Sequence, residues 1–489
     1  MLAGAAKAAD RVVDGGGRAL RRLQAKLREV KSRANALREK VAQLVDENKK
    51  LREENKKLLV ELAKRERRGK RQAAPFSKDN RKKNPKKPGR KTGKEHGPRG
   101  QRPAPDKVDQ TLEAELPACC PDCGGGLREE FIRDQFQTDI PPVVPVTTQF
   151  RIHVGCCLEC GKKVRGRHPQ QSSDAVGAAA HQIGPKALAT ASHLHTVLGL
   201  PYGKITDLFQ RFFGLEVVPS TLVRAQTRLG SLVEPTYEEL KLALRQAAVV
   251  YPDETGWRID AVPAWLWAFV SDLCTVYAIE KSRGQDVIDS ILGLDYSGTV
   301  GHDGWSSYNA LKDATHQTCL EHLLRRCERL LEVATRGAVR FPRAVKSLLQ
   351  DALTLRERRD GGLITPHGLL CLLGKLEARK AEILQWSPTY EPNRLLRDHL
   401  ERVRDQLFTF LRIEGVEATN WPAEQAIRPA VVNRKVCGGN RSETGAAALA
   451  RLMTIFRTAS QQGRDAIDFI VELMRTPAGQ QLPSLLPGP

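Results

Sequence analysis

Tyr251-Pro-Asp253-Glu-Thr-Gly256-Trp-Arg258 is the stretch on which the reading of this chain turns. It follows the apolar run Ala247-Ala-Val-Val250 and precedes Ala264-Trp-Leu-Trp-Ala-Phe-Val270, whose aromatic and branched residues favour extended backbone. An acid at the mouth of one strand, with a second strand close behind, predicts an antiparallel hairpin presenting the Asp253 carboxylate at its edge. A third β-run, Thr275-Val-Tyr-Ala-Ile279, ends in polar Glu280-Lys-Ser-Arg-Gly284, and a helix is expected from Gln285 to Leu292. Thr299-Val-Gly-His-Asp303-Gly then sets another acid where a strand should end.

Three β-runs, a helix and a further β-run, with an acid on both outer strands, form a ribonuclease H-like order. Two carboxylates held this way, completed by a third from a distant helix, suit a two-metal phosphoryl-transfer site. Taken singly, Asp253 and Asp303 read as ordinary turn residues beside Gly and Thr. Their shared strand order is what lifts them.

The chain has 489 residues, 28% charged and 40% hydrophobic, enough for several domains with a sizeable core. Its formal net charge of +21 points to nucleic acid rather than a membrane. No apolar run approaches the roughly 18 residues of a membrane span. Asp10, Arg11 and Asp14 interrupt the start, and no signal peptide is expected. Six of the eleven cysteines fall in two tight clusters, a pattern of metal ligation rather than of a disulfide framework.

From Arg18 a heptad runs through Leu23, Val30, Leu37, Leu44, Leu51 and Leu58, with Leu20, Leu27, Ala34, Val41, Asn48, Asn55 and Leu62 as the second seam. Residues 18–67 are therefore expected to form a coiled coil, making a homodimer or higher oligomer, with Asn48 and Asn55 fixing register. A lone amphipathic helix would show the same spacing. Arg65 to Arg102 holds sixteen Lys or Arg against three acids and is interrupted by Pro and Gly. It cannot bury a core, so 68–106 is expected to be a basic, disordered linker with sequence-independent affinity for phosphates.

Cys119-Cys-Pro-Asp-Cys123-Gly and Cys156-Cys-Leu-Glu-Cys160-Gly follow. Only one register gives paired C-x-x-C: Cys120 with Cys123, and Cys157 with Cys160. Four thiolates in tetrahedral array would hold a structural Zn²⁺ in a zinc-ribbon-like knuckle over 107–170, and Phe131 to Val154 between them is β-prone and long enough for a hairpin. Residues 171–245 turn helical. Ile205, Leu208, Phe209 and Phe212 form a stripe, Gly214 breaks it, and Pro219-Ser-Thr221 opens a helix with Leu222, Val223 and Leu229 as its apolar side. Arg224, Thr227 and Arg228 would then be exposed, as in a helix-turn-helix, although any helical hairpin would look similar.

After Asp303 come Gly304-Trp-Ser-Ser-Tyr308-Asn and His316-Gln-Thr-Cys319-Leu-Glu-His322, then helical spacing to about Arg412. An all-α insertion over about 320–415 within a catalytic domain at 246–435 is expected, followed by a C-terminal helical region at 436–489. Cys319 and His322, one turn apart, make half a metal site, or a structural pair that packs and caps. In Thr419-Asn-Trp-Pro-Ala-Glu424-Gln-Ala-Ile-Arg428-Pro, Thr419 or Asn420 can cap a helix and Pro422 suits its first turn. Glu424 would then face back toward a metal, or else pair with Arg428 along the helix surface. Among neighbouring acids, Glu254, Glu417 and Glu443 are expected to tolerate Gln. Asn433-Arg434-Lys435 through Arg441 is basic and Gly-rich, suited to lying along phosphates.

With these motifs in view, the chain resembles the transposases of the insertion sequence 66 family. The likeness runs through D-E-T-G-W, D-G-W-x-x-Y-N-A-L, C-x-x-H and N-x-x-A-E-x-A-I-R-P-x-V-x-x-R-K, and covers nearly the whole chain. It implies a DDE triad at Asp253, Asp303 and Glu424 on a ribonuclease H-like core. It also implies Mg²⁺, with Mn²⁺ as a substitute, and double-stranded DNA (the element's terminal repeats and a target) as partner in a bacterial cytoplasm, nucleoid-associated when bound. Arg224, Arg228, Arg428, Arg434 and Lys435 are the candidate DNA contacts. One departure is Trp421, where many relatives carry a second Asn. A different class of reading is a non-catalytic, sequence-specific DNA-binding protein left by a decayed or domesticated element.

Overall fold

The computed structural model describes residues 104–486, together with Lys26 and most positions from Lys31 to Glu54. Contacts divide the chain into two units, Met1–Lys91 and Thr92–Pro489. In the first unit the described residues are helical, and the seam positions Val41, Leu44 and Leu51 are exposed. The basic stretch Arg65 to Arg102 and the remaining seam residues, apart from Asn48, lie outside the described residues.

The second unit is a mixed α/β fold. A small antiparallel pair, β1 (Val154–Cys156) and β2 (Lys163–Arg165), frames the second cysteine cluster. Phe131 to His153 form no strand, contrary to the expected hairpin. Pro141, Pro142 and Pro145 remove ladder donors there, and Ile140, Val144 and Val146 stay exposed for want of a core.

Four helices follow: α1 (Pro185–Thr196), α2 (Tyr202–Phe213), α3 (Pro219–Leu232) and α4 (Glu234–Arg245). Leu188, Ala191, Ile205, Phe209, Leu222 and Ala225 form the core of the first three. The apolar faces of α2 and α3 are narrower than the sequence suggests, because Phe212 on α2 and Val223 on α3 are exposed. The inner end of α3 presses on a later helix: a Cβ at Gly230 would come within 2.4 Å of the Ala448 methyl.

The main sheet has five strands in the order β5-β4-β3-β6-β7. Strands β3 (Val249–Ile259), β4 (Val262–Val270) and β5 (Thr275–Glu280) are antiparallel neighbours. Strands β6 (Thr299–His302) and β7 (Thr315–Thr318) add on in parallel beside β3. The β3–β4 hairpin turns through Asp260 and Ala261, at φ 48° and 63°, as a two-residue mirror-image turn requires. Helix α5 (Gln285–Leu292) links β5 to β6.

Both faces of this sheet are buried, and side chains alternate between them. Val250, Trp267, Phe269, Val276 and Ala278 pack with α4 and α5. Tyr251, Leu266, Ala268, Tyr277 and Ile279 pack with two C-terminal helices. After β7 come α6 (Leu320–Val333), α7 (Arg340–Asp360), α8 (Pro366–Gln385), α9 (Glu391–Arg402) and α10 (Thr409–Arg412), around a core of their own. The chain then returns as α11 (Trp421–Cys437), α12 (Glu443–Gln461) and α13 (Ala466–Arg475). Leu452, Ile455, Phe469 and Ile470 enter the sheet's own core, so the last helices cover the sheet and do not stand apart from it. No described helix is long and apolar enough to cross a membrane.

Candidate active site

Val250 pairs with Val300 at the last registered position between parallel strands β3 and β6. Asp253 and Asp303 each lie three residues further on, near enough for the Asp303 charge to act on the Asp253 carboxyl. Asp253 does not sit at the strand's mouth as expected, because β3 continues to Ile259 against β4. At Asp253 the strand is still paired with β4 but no longer with β6.

Alternation separates the two adjacent acids of β3. Asp253 shares the face of Tyr251 and Trp257, against α11, whereas Glu254 faces the other way. The Glu254 side chain is 1% exposed, accepts from Arg283 at 2.6 and 2.9 Å and accepts a hydrogen bond from the Tyr308 hydroxyl at 2.8 Å. Arg283 in turn lies 4.5 Å from the Trp265 ring and 3.7 Å from the Trp305 ring. Glu254 is thus a buried structural acid, not the interchangeable neighbour the sequence suggested.

Asp303 accepts the Trp305 N–H at 2.8 Å, a turn contact that fixes the carboxylate over Gly304. Gly304 adopts φ 94°, closed to other residues without strain. Beneath the turn, the Gly304 N–H donates to His302 Nδ1 at 3.0 Å, which leaves Nε2 as the protonated nitrogen. That nitrogen donates to His316 Nδ1 at 3.0 Å, and His316 Nε2 donates to the Leu311 carbonyl at 3.0 Å. Burial, with His316 alongside, pushes His302 down to about 3, so this brace is neutral.

Helix α11 brings the third acid. Asn420 stands at its N-cap, but its side chain caps nothing. Instead Nδ2 donates to the Pro252 carbonyl at 2.8 Å, and the Asn420 N–H donates to Cys319 Sγ at 3.2 Å. The Cys319 N–H donates to the His302 carbonyl at 2.8 Å. Pro252 and His302, just before Asp253 and Asp303, and Asn420, one helical turn before Glu424, are in this way bonded into one web through Cys319. Pro422 lies in the first turn, as expected.

Glu424 faces α6, with His322 Nε2 at 3.8 Å and Arg325 Nη2 at 3.9 Å, and makes no ion pair with Arg428. Of its rivals, Glu417 pairs with Arg356, Glu443 pairs with Lys281, and Glu414 is exposed. Burial first, then the charges of Glu254, Asp303 and Glu424, push the Asp253 carboxyl up to about 7.

Among the described residues, the metal-ligating side chains drawn within 4.8 Å of one another are Cys319, His322 and Glu424. A thiol, an imidazole and a carboxylate are a donor set that could hold a transition metal, so the C-x-x-H pair and Glu424 lie in one group of ligand-type side chains. Neither the acid triad nor the four knuckle cysteines are drawn together that tightly. Each knuckle nevertheless closes on itself in the same way. Cys120 N–H donates to the Gly125 carbonyl and Gly124 N–H to the Cys120 carbonyl, and Cys157 with Lys162 and Gly161 repeats the pattern, all at 2.9 Å. Backbone N–H groups of Asp122 and Cys123 hold the Cys120 thiol low, and those of Cys160 and Glu159 do so for Cys157. Thiols held toward the thiolate suit zinc.

Of the basic candidates, Arg224, Arg228, Arg428 and Lys435 are exposed. Arg434 is not free for DNA in the same way, because its guanidinium bonds Thr255 Oγ1 and the Gly256 carbonyl of β3. The segment after it is stitched to the same strand: Asn440 N–H donates to the Arg258 carbonyl at 2.9 Å, and Trp257 Nε1 donates to Asn440 Oδ1 at 2.8 Å. That contact, not a loop along phosphates, explains Gly439, where a Cβ would meet the Arg258 carbonyl at 2.4 Å.

Residues 180–448, more than half of the chain, match the family described as "Transposase IS66 family", and the chain belongs to that family. It is also similar to the uncharacterized protein y4qI of Sinorhizobium fredii (strain NBRC 101917 / NGR234). The two are 24% identical over 407 residues, covering 76% of this chain and 72% of that one.

Proposed function

We propose that the chain cuts and joins the ends of its own insertion sequence through a ribonuclease H-like DDE centre made of Asp253, Asp303 and Glu424. The observation that carries this reading is the matched register of the two aspartates beyond Val250 and Val300, with Glu424 tied in through Asn420. Three hard carboxylates fit Mg²⁺, or Mn²⁺ in its place. Ions held there would supply charge stabilisation for the attacking and leaving oxygens of an in-line displacement. The chain's own part is to hold three carboxylates on one side of the sheet against their mutual repulsion, with His322 and Arg325 opposing Glu424.

Around that centre, Arg224 and Arg228 on α3 are assigned to end recognition in a helix-turn-helix, and Arg428 and Lys435 to DNA beside the acids. Arg434 acts as a strut for β3. The basic segment 65–102 adds salt-sensitive affinity, the coiled coil pairs two copies, and Cys120, Cys123, Cys157 and Cys160 hold Zn²⁺. The protein would work on bacterial DNA at the nucleoid.

The test is nicking and joining of labelled duplex carrying the element's terminal repeats. The parent should act with Mg²⁺ and stop with EDTA. Asp253→Asn, Asp303→Asn and Glu424→Gln should bind the ends and cut none. Arg224→Ala with Arg228→Ala should lose the preference for ends over random DNA. A parent that binds ends but never cuts them would make this a DNA-binding remnant and end the catalytic reading.

A further inference from the structure

We infer that the groove between the 197–199 turn and α11 seats one unstacked nucleobase of the DNA, with Trp421 as its stacking face. The inference deepens the proposed function, since it rests on Glu424 belonging to a DNA-cutting centre. Trp421, Gln425, Arg428 and Val432 recur at helical spacing and form one stripe of α11 along this groove. Glu424 lies about 60° around the same helix from Trp421, at roughly 100° per residue. The stripe and Glu424, which turns toward His322 and Arg325, therefore occupy neighbouring faces of one helix.

Four observations choose the occupant. Trp421 is 62% exposed, and Val432 beside it is 56% exposed, so an aromatic face and an apolar shoulder stand open together. The groove has a volume of about 590 Å³, within the range of small-molecule sites and ample for a base. Its charged lining is Arg428 and Arg457, neither ion-paired with a described residue, and no acid lines it. Asn433, also lining the groove, is 5% exposed; its Nδ2 donates to the His195 carbonyl at 3.5 Å, and its Oδ1 has no hydrogen-bond partner. An aromatic platform, two free cations and an unpaired amide acceptor together fit a π-face, a phosphate and a donor edge. A nucleotide taken out of its stack carries all three, and aromatic stacking is how single strands are held without sequence preference.

The experiment uses the full chain in EDTA, so that nothing is cut. The probes are a short oligodeoxythymidylate carrying one 2-aminopurine, and a blunt duplex of mixed sequence. The parent should quench the 2-aminopurine on binding. Trp421→Ala should lose the quenching and bind the single strand about tenfold more weakly, with duplex affinity unchanged. Trp421→Phe should keep most of both. The inference is overturned if Trp421→Ala quenches like the parent, or if it weakens single strand and duplex alike. It is also overturned if the variant's sole change is a different oligomeric state in sedimentation, which would make this face a protein interface. A protein that stacks but never nicks keeps this inference and loses the proposed activity. One that nicks without stacking does the reverse.

Discussion

Asn420 Nδ2 donates to the carbonyl oxygen of Pro252 at 2.8 Å across 168 residues of sequence. The residue that opens the Glu424 helix is thereby joined to the residue that precedes Asp253. Asn420→Ala should cost about 1–2 kcal/mol in thermal unfolding, because it leaves a buried carbonyl short of a donor. End cutting should fall more steeply than stability. Asn420→Asp should be worse than Ala, since it adds a fourth negative charge and loses the donor. A parent-like Asn420→Ala in both assays would mean that the web does not hold the acids.

Asp253 gives a pH signature without metal. Its carboxyl is raised from 3.8 to about 7, so between those values the folded chain binds a proton that the unfolded chain has released. Stability from this group is full below about pH 4 and falls as pH rises to about 7. In EDTA at about pH 8, Asp253→Asn should be more stable than the parent by on the order of 2 kcal/mol, and the two should converge below about pH 4. Melting curves across this range, with Mg²⁺ expected to narrow the gap, check it. A parent as stable as the variant at about pH 8 would contradict the crowding of acids.

Glu254→Gln should no longer behave as a harmless control. Removing one partner of its buried pair with Arg283 should cost on the order of 2 kcal/mol. Cutting should weaken through the displaced Trp305 turn. Glu417→Gln and Glu443→Gln, which break more exposed pairs, should change little. Thermal melts of the three variants rank them, and a Glu254→Gln protein as stable as the parent would return it to the status of bystander.

The knuckles make a further prediction. Purified chain should carry one Zn²⁺, and Cys120→Ser with Cys157→Ser should abolish it, while Cys119→Ser and Cys156→Ser should not. Elemental analysis finding no zinc in folded parent would remove the metal from this region.

How much of this was legible in the sequence depended on where each residue's partner lies. The runs of β3, β4 and β5 stand out because both sheet faces are buried, so Trp265 to Val270 is apolar without a break. Strand β7 escaped notice because Thr315-His-Gln-Thr318 is polar. Its stabilising partners lie far away: Gln317 Oε1 accepts the Phe410 N–H at 2.9 Å, and Thr318 Oγ1 donates to Gln406 at 2.8 Å. Asn420 misled for the same reason, because its local option was a helix cap and a distant carbonyl won. The orientation of Glu254 needed only the period of two, already visible in Tyr251 to Trp257, to separate it from Asp253.

Gly230 against Ala448 has a consequence for DNA. With the Gly230 backbone set directly on Ala448, α3 has no long side chain there to cushion a slide over α12, and α12 in turn closes the sheet that bears the acids. If α3 reads the end of the element, the interval from the base pairs it reads to the bond that is cut is set like the gap of a caliper. An insertion or deletion of a single base pair in that interval would move the scissile bond away from the carboxylates, whatever the sequence inserted.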